Sequence, residues 1–253
     1  CYLFEAPFSP LAAGLAGLLV ALFGVWRLLA ARIAMLSRAP VSGQLTLPRR
    51  LDRNALWAGG LFTALSLQLP FLVLPWFVDT AAIGLYAVAH KLVSMVTLLL
   101  ILQAAVFGPA FARAAAAAEG GELGRLLWKT QKLSCAIFLP GAAVIWGGAD
   151  IWASAFGLPG DDFAIVLLLL LAGQCVNAAT GLPGVLLNMT GAARLELCAQ
   201  LVATAMTLLL AWPVAEYWGL AGLAGLFSAG LALKNLLSYV AALRHICSQE
   251  FVS

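Results

Sequence analysis

Lys91 lies within the long apolar run that begins near position 82. Counting about 1.5 Å per residue down a helix from that start puts it roughly 13 Å below the nearer surface, close to mid-bilayer. An ionisable group at that depth costs at least ~2.5 kcal/mol and normally faces a water-filled cavity or a partner. A lone deep cation is suited to binding an anion such as a pyrophosphate or an acidic sugar. Gly84, Ala87 and Ser94 share its helical face, which predicts that this face looks into protein or water. The alternative is a lysine that snorkels to the outer head groups. His90 projects about 100° away and reads as an interhelical histidine rather than a proton carrier.

Gln174, Asn177, Gly181, Gly184 and Asn188 follow one another at intervals of 3, 4, 3 and 4. On one continuous helix they form a single stripe. Such a stripe either lines a substrate path or glues two helices through amides, and spacing alone leaves both open. Gln68, Pro70 and Pro75 mark another apolar run, whose prolines interrupt the helix as in broken transporter helices, and Pro183 is expected to kink the amide-bearing one. The candidate substrate-binding residues are thus Lys91, Gln174, Asn177, Gln68 and Asn188, and the candidate kink residues Pro70, Pro75 and Pro183. Asn188-Met189-Thr190 matches a glycosylation acceptor, but lies at the cytoplasmic end of its span and is discounted.

Other chemistry lacks machinery in the sequence. There is no HExxH, nucleophile elbow, P-loop or paired intramembrane carboxylate, and all 11 acidic residues fall in loops or at span ends. No catalytic residue, metal site or cofactor is predicted. The five cysteines are scattered and odd in number, so they read as small packing residues rather than a disulfide or zinc framework.

The elements that position these residues follow from composition. Of 253 residues 63% are hydrophobic and 10% charged, with a mean hydropathy of +1.00, which excludes a soluble domain. The net charge, 14 minus 11 or +3, is too small and scattered for a nucleic-acid surface. Seven apolar segments reach spanning length, at 10–32, 55–77, 82–108, 132–149, 163–189, 196–215 and 218–242, predicting an all-α polytopic membrane protein. The turn-rich, arginine-rich stretch 37–54 reads as a linker between two membrane bundles. Ala13, Gly17 and Ala21, and again Ala221, Gly225 and Ala229, permit close helix packing. Segment 109–131 reads as a cytoplasmic helix, a glycine break and an amphipathic lead-in to the fourth span.

Thirteen of the 14 basic residues fall on one side of this topology, Lys234 and Arg244 at the end of the last span among them. The opposite loops carry Glu5, Asp79, Asp150, Asp161, Asp162 and Glu216. Basic residues near span ends are retained in the cytoplasm, so linker and C-terminus are expected there. Because the first residue is Cys1, no basic segment precedes the first apolar run and no signal pattern follows it, the simplest expectation is a longer protein with more of the chain preceding this one, although a mature lipoprotein would also begin with Cys.

The runs RRLDRNALWAGGLFTALSLQLPFLVLPWFVDTAAIGLYAVAHKLVSMVTLLL, FGPAFARAAAAAEGGELGRLL and LLLLAGQCVNAATGLPGVLLNMTGAARLELCAQ resemble the polysaccharide flippases of the multidrug/oligosaccharidyl-lipid/polysaccharide exporter superfamily. The likeness lies in a G-x-Y-x-x-A-x-K/R element (Gly84, Tyr86, Ala89, Lys91), a proline-led loop ending in a Gly-acidic pair, and an amide-rich helix ending at Thr190-Gly191. It implies two six-helix lobes around a cavity of alternating access. Residues 1–36 would then be the last helix of the N-terminal lobe, 37–54 the inter-lobe linker, 55–245 the C-terminal six-helix lobe and 246–253 a cytoplasmic tail. The implied activity is the movement of undecaprenyl-pyrophosphate-linked oligosaccharide across the bacterial inner membrane, with Lys91 as a head-group cation and glycan polymerases as partners. A multidrug cation exporter or lipid II flippase of the same superfamily is the nearest alternative; a cation exporter is expected to carry a cavity carboxylate. A membrane glycan polymerase or ligase is a further one, disfavoured by outer loops that are short and acidic.

Overall fold

The structure, a computed structural model, describes residues 50–117 and 120–250. The expected first span, its stripe Ala13, Gly17 and Ala21, and most of the linker lie outside the described residues. Within them every regular element is helical: α1 (Arg50–Val73), a 3-10 turn (Leu74–Trp76), α2 (Thr80–Ala116), α3 (Gly120–Gly147), α4 (Ala149–Phe156), α5 (Gly160–Thr180), α6 (Pro183–Met189) and α7 (Ala193–Glu250). Four helices are long and apolar enough to cross a membrane, or five when α3 and α4, bent by 56° at their junction, count as one span. Residues 246–250, expected in a tail, continue α7, and Ile246 is buried.

Local chemistry explains the breaks. Pro70 sits inside α1, whereas Pro75 lies in the 3-10 turn that ends it. The chain re-enters helix at Asp79, whose carboxylate accepts from the Ala82 amide at 2.8 Å and so caps α2. The span expected over 163–189 is not continuous. It stops at Thr180, turns at Gly181 (φ 72°, ψ −127°) and restarts with Pro183 in the first turn of α6. A proline cannot supply the amide that a continuing helix needs, and it disfavours helical geometry in the residue before it. Pro183 therefore opens a helix rather than kinking one.

α7 runs for 58 residues, about 87 Å if straight and far beyond the ~30 Å hydrocarbon core. It is two helices joined at Gly219, whose φ of 55° and ψ of −139° are accessible to glycine alone. The arms, 193–218 and 220–250, pack against each other where Gly230 meets the Thr207 hydroxyl.

Two apolar cores hold the bundle. One gathers Leu74, Tyr86, Val93, Phe138, Phe163, Leu167 and Leu223 near the α1–α2 and α4–α5 connections. The other gathers Phe111, Leu123, Leu127, Leu186, Leu187 and Ala242 near the α2–α3 connection. Along α2, α3 and the second arm of α7, buried polar residues occupy the positions between the cores: Gln103; Thr130, Gln131 and Ser134; Asn235 and Ser238. Gln103 ties two helices there, donating to the Thr130 carbonyl and accepting from the Ser134 hydroxyl, both at 2.8 Å. The outer surface is apolar. Trp76, Trp212, Tyr217 and Trp218 are exposed towards one end and Trp57 and Trp128 towards the other, the distribution that membrane interfaces favour. The tightest approach is not at Gly225. A Cβ on Gly225 would meet Leu169 only at 3.8 Å, whereas one on Gly173 would lie 2.7 Å from the Ser228 Cβ.

Candidate functional site

α1 leans on α7 rather than on α2, and the space between α1 and α2 becomes a cavity of about 590 Å³. Its walls come from α1, α2, α5 and both arms of α7. Leu67, Met95, Leu98 and Ile101, all exposed, make part of the lining apolar.

Three of the residues expected to bind substrate meet here: Gln68 from α1, Lys91 from α2 and Gln174 from α5. Lys91 is exposed. It also borders a second cavity, with Ala87, Ser94 and Phe156, and the Ser94 hydroxyl donates to its backbone carbonyl at 2.7 Å. Gly84, expected on the same face, lines neither cavity. Asn177 does not line the larger one but donates to Gln174 Oε1 at 2.9 Å, orienting that amide. Asn188 is on α6, beyond the break at Gly181, and stands apart from the cavity. The stripe is therefore divided: its first two amides serve the cavity wall and its glycines serve packing.

Those glycines are places of close approach. A Cβ on Gly181 would lie 2.8 Å from the Thr130 hydroxyl and 3.0 Å from the Gln131 amide nitrogen. One on Gly184 would lie 2.5 Å from a Glu196 carboxylate oxygen.

His90 stacks on Tyr86, with ring centroids 5.9 Å apart, and meets Phe71 of α1 edge-on at 5.3 Å. Tyr86 in turn meets Phe227 edge-on at 6.1 Å. These rings hold α1, α2 and the second arm of α7 together at one end of the cavity.

A polar seam on the opposite wall escapes the sequence reading. Thr63 donates to Gln200 Oε1 at 3.2 Å, Gln200 Nε2 donates to Ser66 at 3.2 Å, and the Ser66 and Thr204 hydroxyls are 3.4 Å apart. Its signal was present, since Gln200, Thr204 and Thr207 recur at intervals of 4 and 3. Lys234 also departs from expectation. Instead of marking the end of the last span, it lines the cavity and pairs with Glu196 at 2.5 Å. Glu196, in the first turn of α7, is only 6% exposed, so a carboxylate does lie beside this cavity, neutralised by a lysine.

Among the described residues no three His, Cys, Asp or Glu side chains converge as metal ligands would. Cys198 and Cys247 are exposed rather than packed, while Cys135 and Cys175 are partly buried. Most of the described basic residues gather at one end, where Glu122 and Glu196 also lie, and the other end carries acids. Arg113, Arg125, Lys129, Lys132, Arg194 and Arg244 lie towards the α2–α3 and α6–α7 connections, and Asp79, Asp150, Asp161, Asp162 and Glu216 lie towards the other end. Comparisons with family models, with curated proteins and with solved structures find no match to the chain.

Proposed function

We propose that this chain is the substrate-binding lobe of a membrane transporter that moves a lipid-linked oligosaccharide carrying a pyrophosphate between leaflets. The observation that carries this reading is the cavity between α1 and α2, where exposed Lys91 stands with Gln68 and Gln174 inside an apolar bundle. A cation offers charge to a phosphate, amides offer donors and acceptors to sugar hydroxyls, and an apolar lining suits a polyprenyl chain. The bilayer is that of the bacterial inner membrane, with the basic ends of the helices in the cytoplasm. In the same reading the chain has seven spans and pairs with a further six-helix lobe to give alternating access; glycan polymerases are its natural partners.

A cation exporter is less well supported. The carboxylate nearest the cavity is already paired with Lys234, and the exposed formal charge on the wall is positive. Lipid II, which also carries a pyrophosphate, fits the same cation. A glycan polymerase or ligase finds less support in the short connections 77–79 and 157–159, whose nearest charges are Asp79 and, in the first turn of α5, Asp161 and Asp162.

The test is a flipping assay with the full transporter in liposomes holding a fluorescent undecaprenyl-pyrophosphate oligosaccharide, read by dithionite accessibility. Protein-dependent exposure of the label, lost in Lys91→Gln, is expected. Equal exposure with and without protein refutes the reading.

A further inference from the structure

The Glu196–Lys234 pair belongs to neither apolar core. It joins the first turn of α7 to its second arm at the cavity wall. Lys234 is half-buried and reaches the cavity, whereas Glu196 is almost wholly buried behind it. The carboxylate is incompletely satisfied: Oε1 takes Lys234, and Oε2 is buried with no hydrogen-bond partner. Next to Lys234 in sequence, Asn235 likewise holds a buried amide nitrogen without a partner. A buried carboxylate normally collects several donors, so this one, with an unused oxygen, is incompletely compensated, and its lysine is the member of the pair that an anion in the cavity can reach. From behind, Gly184 crowds the carboxylate so closely that one added methyl group would collide with it.

We infer that Glu196 masks Lys234, and that an anionic head group entering the cavity takes this lysine from the carboxylate, gaining a second cationic anchor besides Lys91. The inference rests on the anionic-substrate reading above and narrows it to head groups with at least two negative charges, one for each lysine. A monoanion satisfied at Lys91 has no charge left to compete with Glu196. A diphosphate does, and its oxygens make stronger charge-assisted bonds than the single contact they replace. Glu196 thereby sets selectivity without touching the ligand, as a positioning residue acting through Lys234.

The test is equilibrium binding of radiolabelled farnesyl pyrophosphate, with the phosphodiester farnesyl methyl phosphate, a true monoanion, as comparison, to the full protein in nanodiscs. Glu196→Gln unmasks Lys234 and should tighten pyrophosphate binding about tenfold, and Lys234→Gln should weaken it by a similar factor, one charge-assisted contact in each case. Phosphodiester binding should change little in either variant. Gly184→Ala, which drives the carboxylate off its position while keeping every charge, should move pyrophosphate affinity in the same direction as Glu196→Gln. The exchange Glu196→Lys with Lys234→Glu keeps both charges but puts the carboxylate on the cavity wall, and, with folding checked by thermal unfolding, should abolish the preference for pyrophosphate. If wild type binds through Lys91 while Glu196→Gln and Gly184→Ala bind pyrophosphate no more tightly, the pair is a structural strut and the masking inference fails alone. If neither wild type nor Glu196→Gln binds either phosphate, the anionic-substrate reading fails with it.

Discussion

Gly173 of α5 rests directly on Ser228 in the second arm of α7, with room for no side chain between them: a Cβ on Gly173 would lie 2.7 Å from the Ser228 Cβ and 2.9 Å from its Cα. Backbone cannot swing aside as a side-chain tip can. Gly173→Ala should therefore destabilise the bundle by about 1–3 kcal/mol, the usual range for overpacking. Gly225→Ala, whose new methyl would meet Leu169 at 3.8 Å, should leave stability within about 0.5 kcal/mol. Thermal unfolding in detergent distinguishes the two; equal losses would mean that this helix contact adjusts freely.

Gly181 combines a left-handed φ of 72° with close approach to Thr130 and Gln131. Both penalties fall on any other residue. Gly181→Ala should cost about 2–4 kcal/mol, summing backbone strain and overpacking, and should lower the unfolding temperature more than Gly157→Ala, where φ is also positive but nothing lies within 4 Å. A larger loss at Gly157 would contradict the packing seen around Gly181.

Asn177 orients Gln174 at the cavity wall. Asn177→Leu should reduce transport severalfold, since a lost amide contact is worth about 1 kcal/mol, while the exposed Leu168→Ala should not. Leu168 is a better control than its neighbour Leu169, which packs beside Gly225. Equal transport by both variants, in the same liposome assay, would assign the amides to packing alone.

Trp76 is 83% exposed, and Trp212 and Trp218 stand near the same end. Brominated phospholipids should quench most of the tryptophan emission, and aqueous iodide little of it, because these rings belong at the lipid interface. Strong iodide quenching without bromolipid quenching would place this surface against water or protein.

Much of this bundle was legible because hydropathy and capping are local. The all-helical character, the apolar runs that become α1, α2 and α5, and the candidacy of Gln68, Lys91 and Gln174 as polar groups within such runs all follow from residue type and period, whereas their common place on one cavity wall does not. The interruption at Gly181 was not, since a period of 3 and 4 continues across it and Pro183 alone reads equally as a kink; the positive φ at Gly181 and its close approach to α3 are visible only in the fold. The pairing of Glu196 with Lys234 depends on α7 folding back at Gly219. Hydropathy assigned both residues to span ends, because it reads depth along one helix and not proximity between two.

The two apolar cores, with an amide and hydroxyl layer between them, give the bundle two grips rather than one. Segments held by separate sets of contacts open with separate free energies. Loosening the grip at Phe111, Leu123 and Leu186 leaves the grip at Tyr86, Phe163 and Leu223 intact. In the transport reading proposed above, the helices would splay at the Phe111 end while pivoting about the core around Tyr86, and the hydrogen-bonded layer between the two would mark how far the opening reaches.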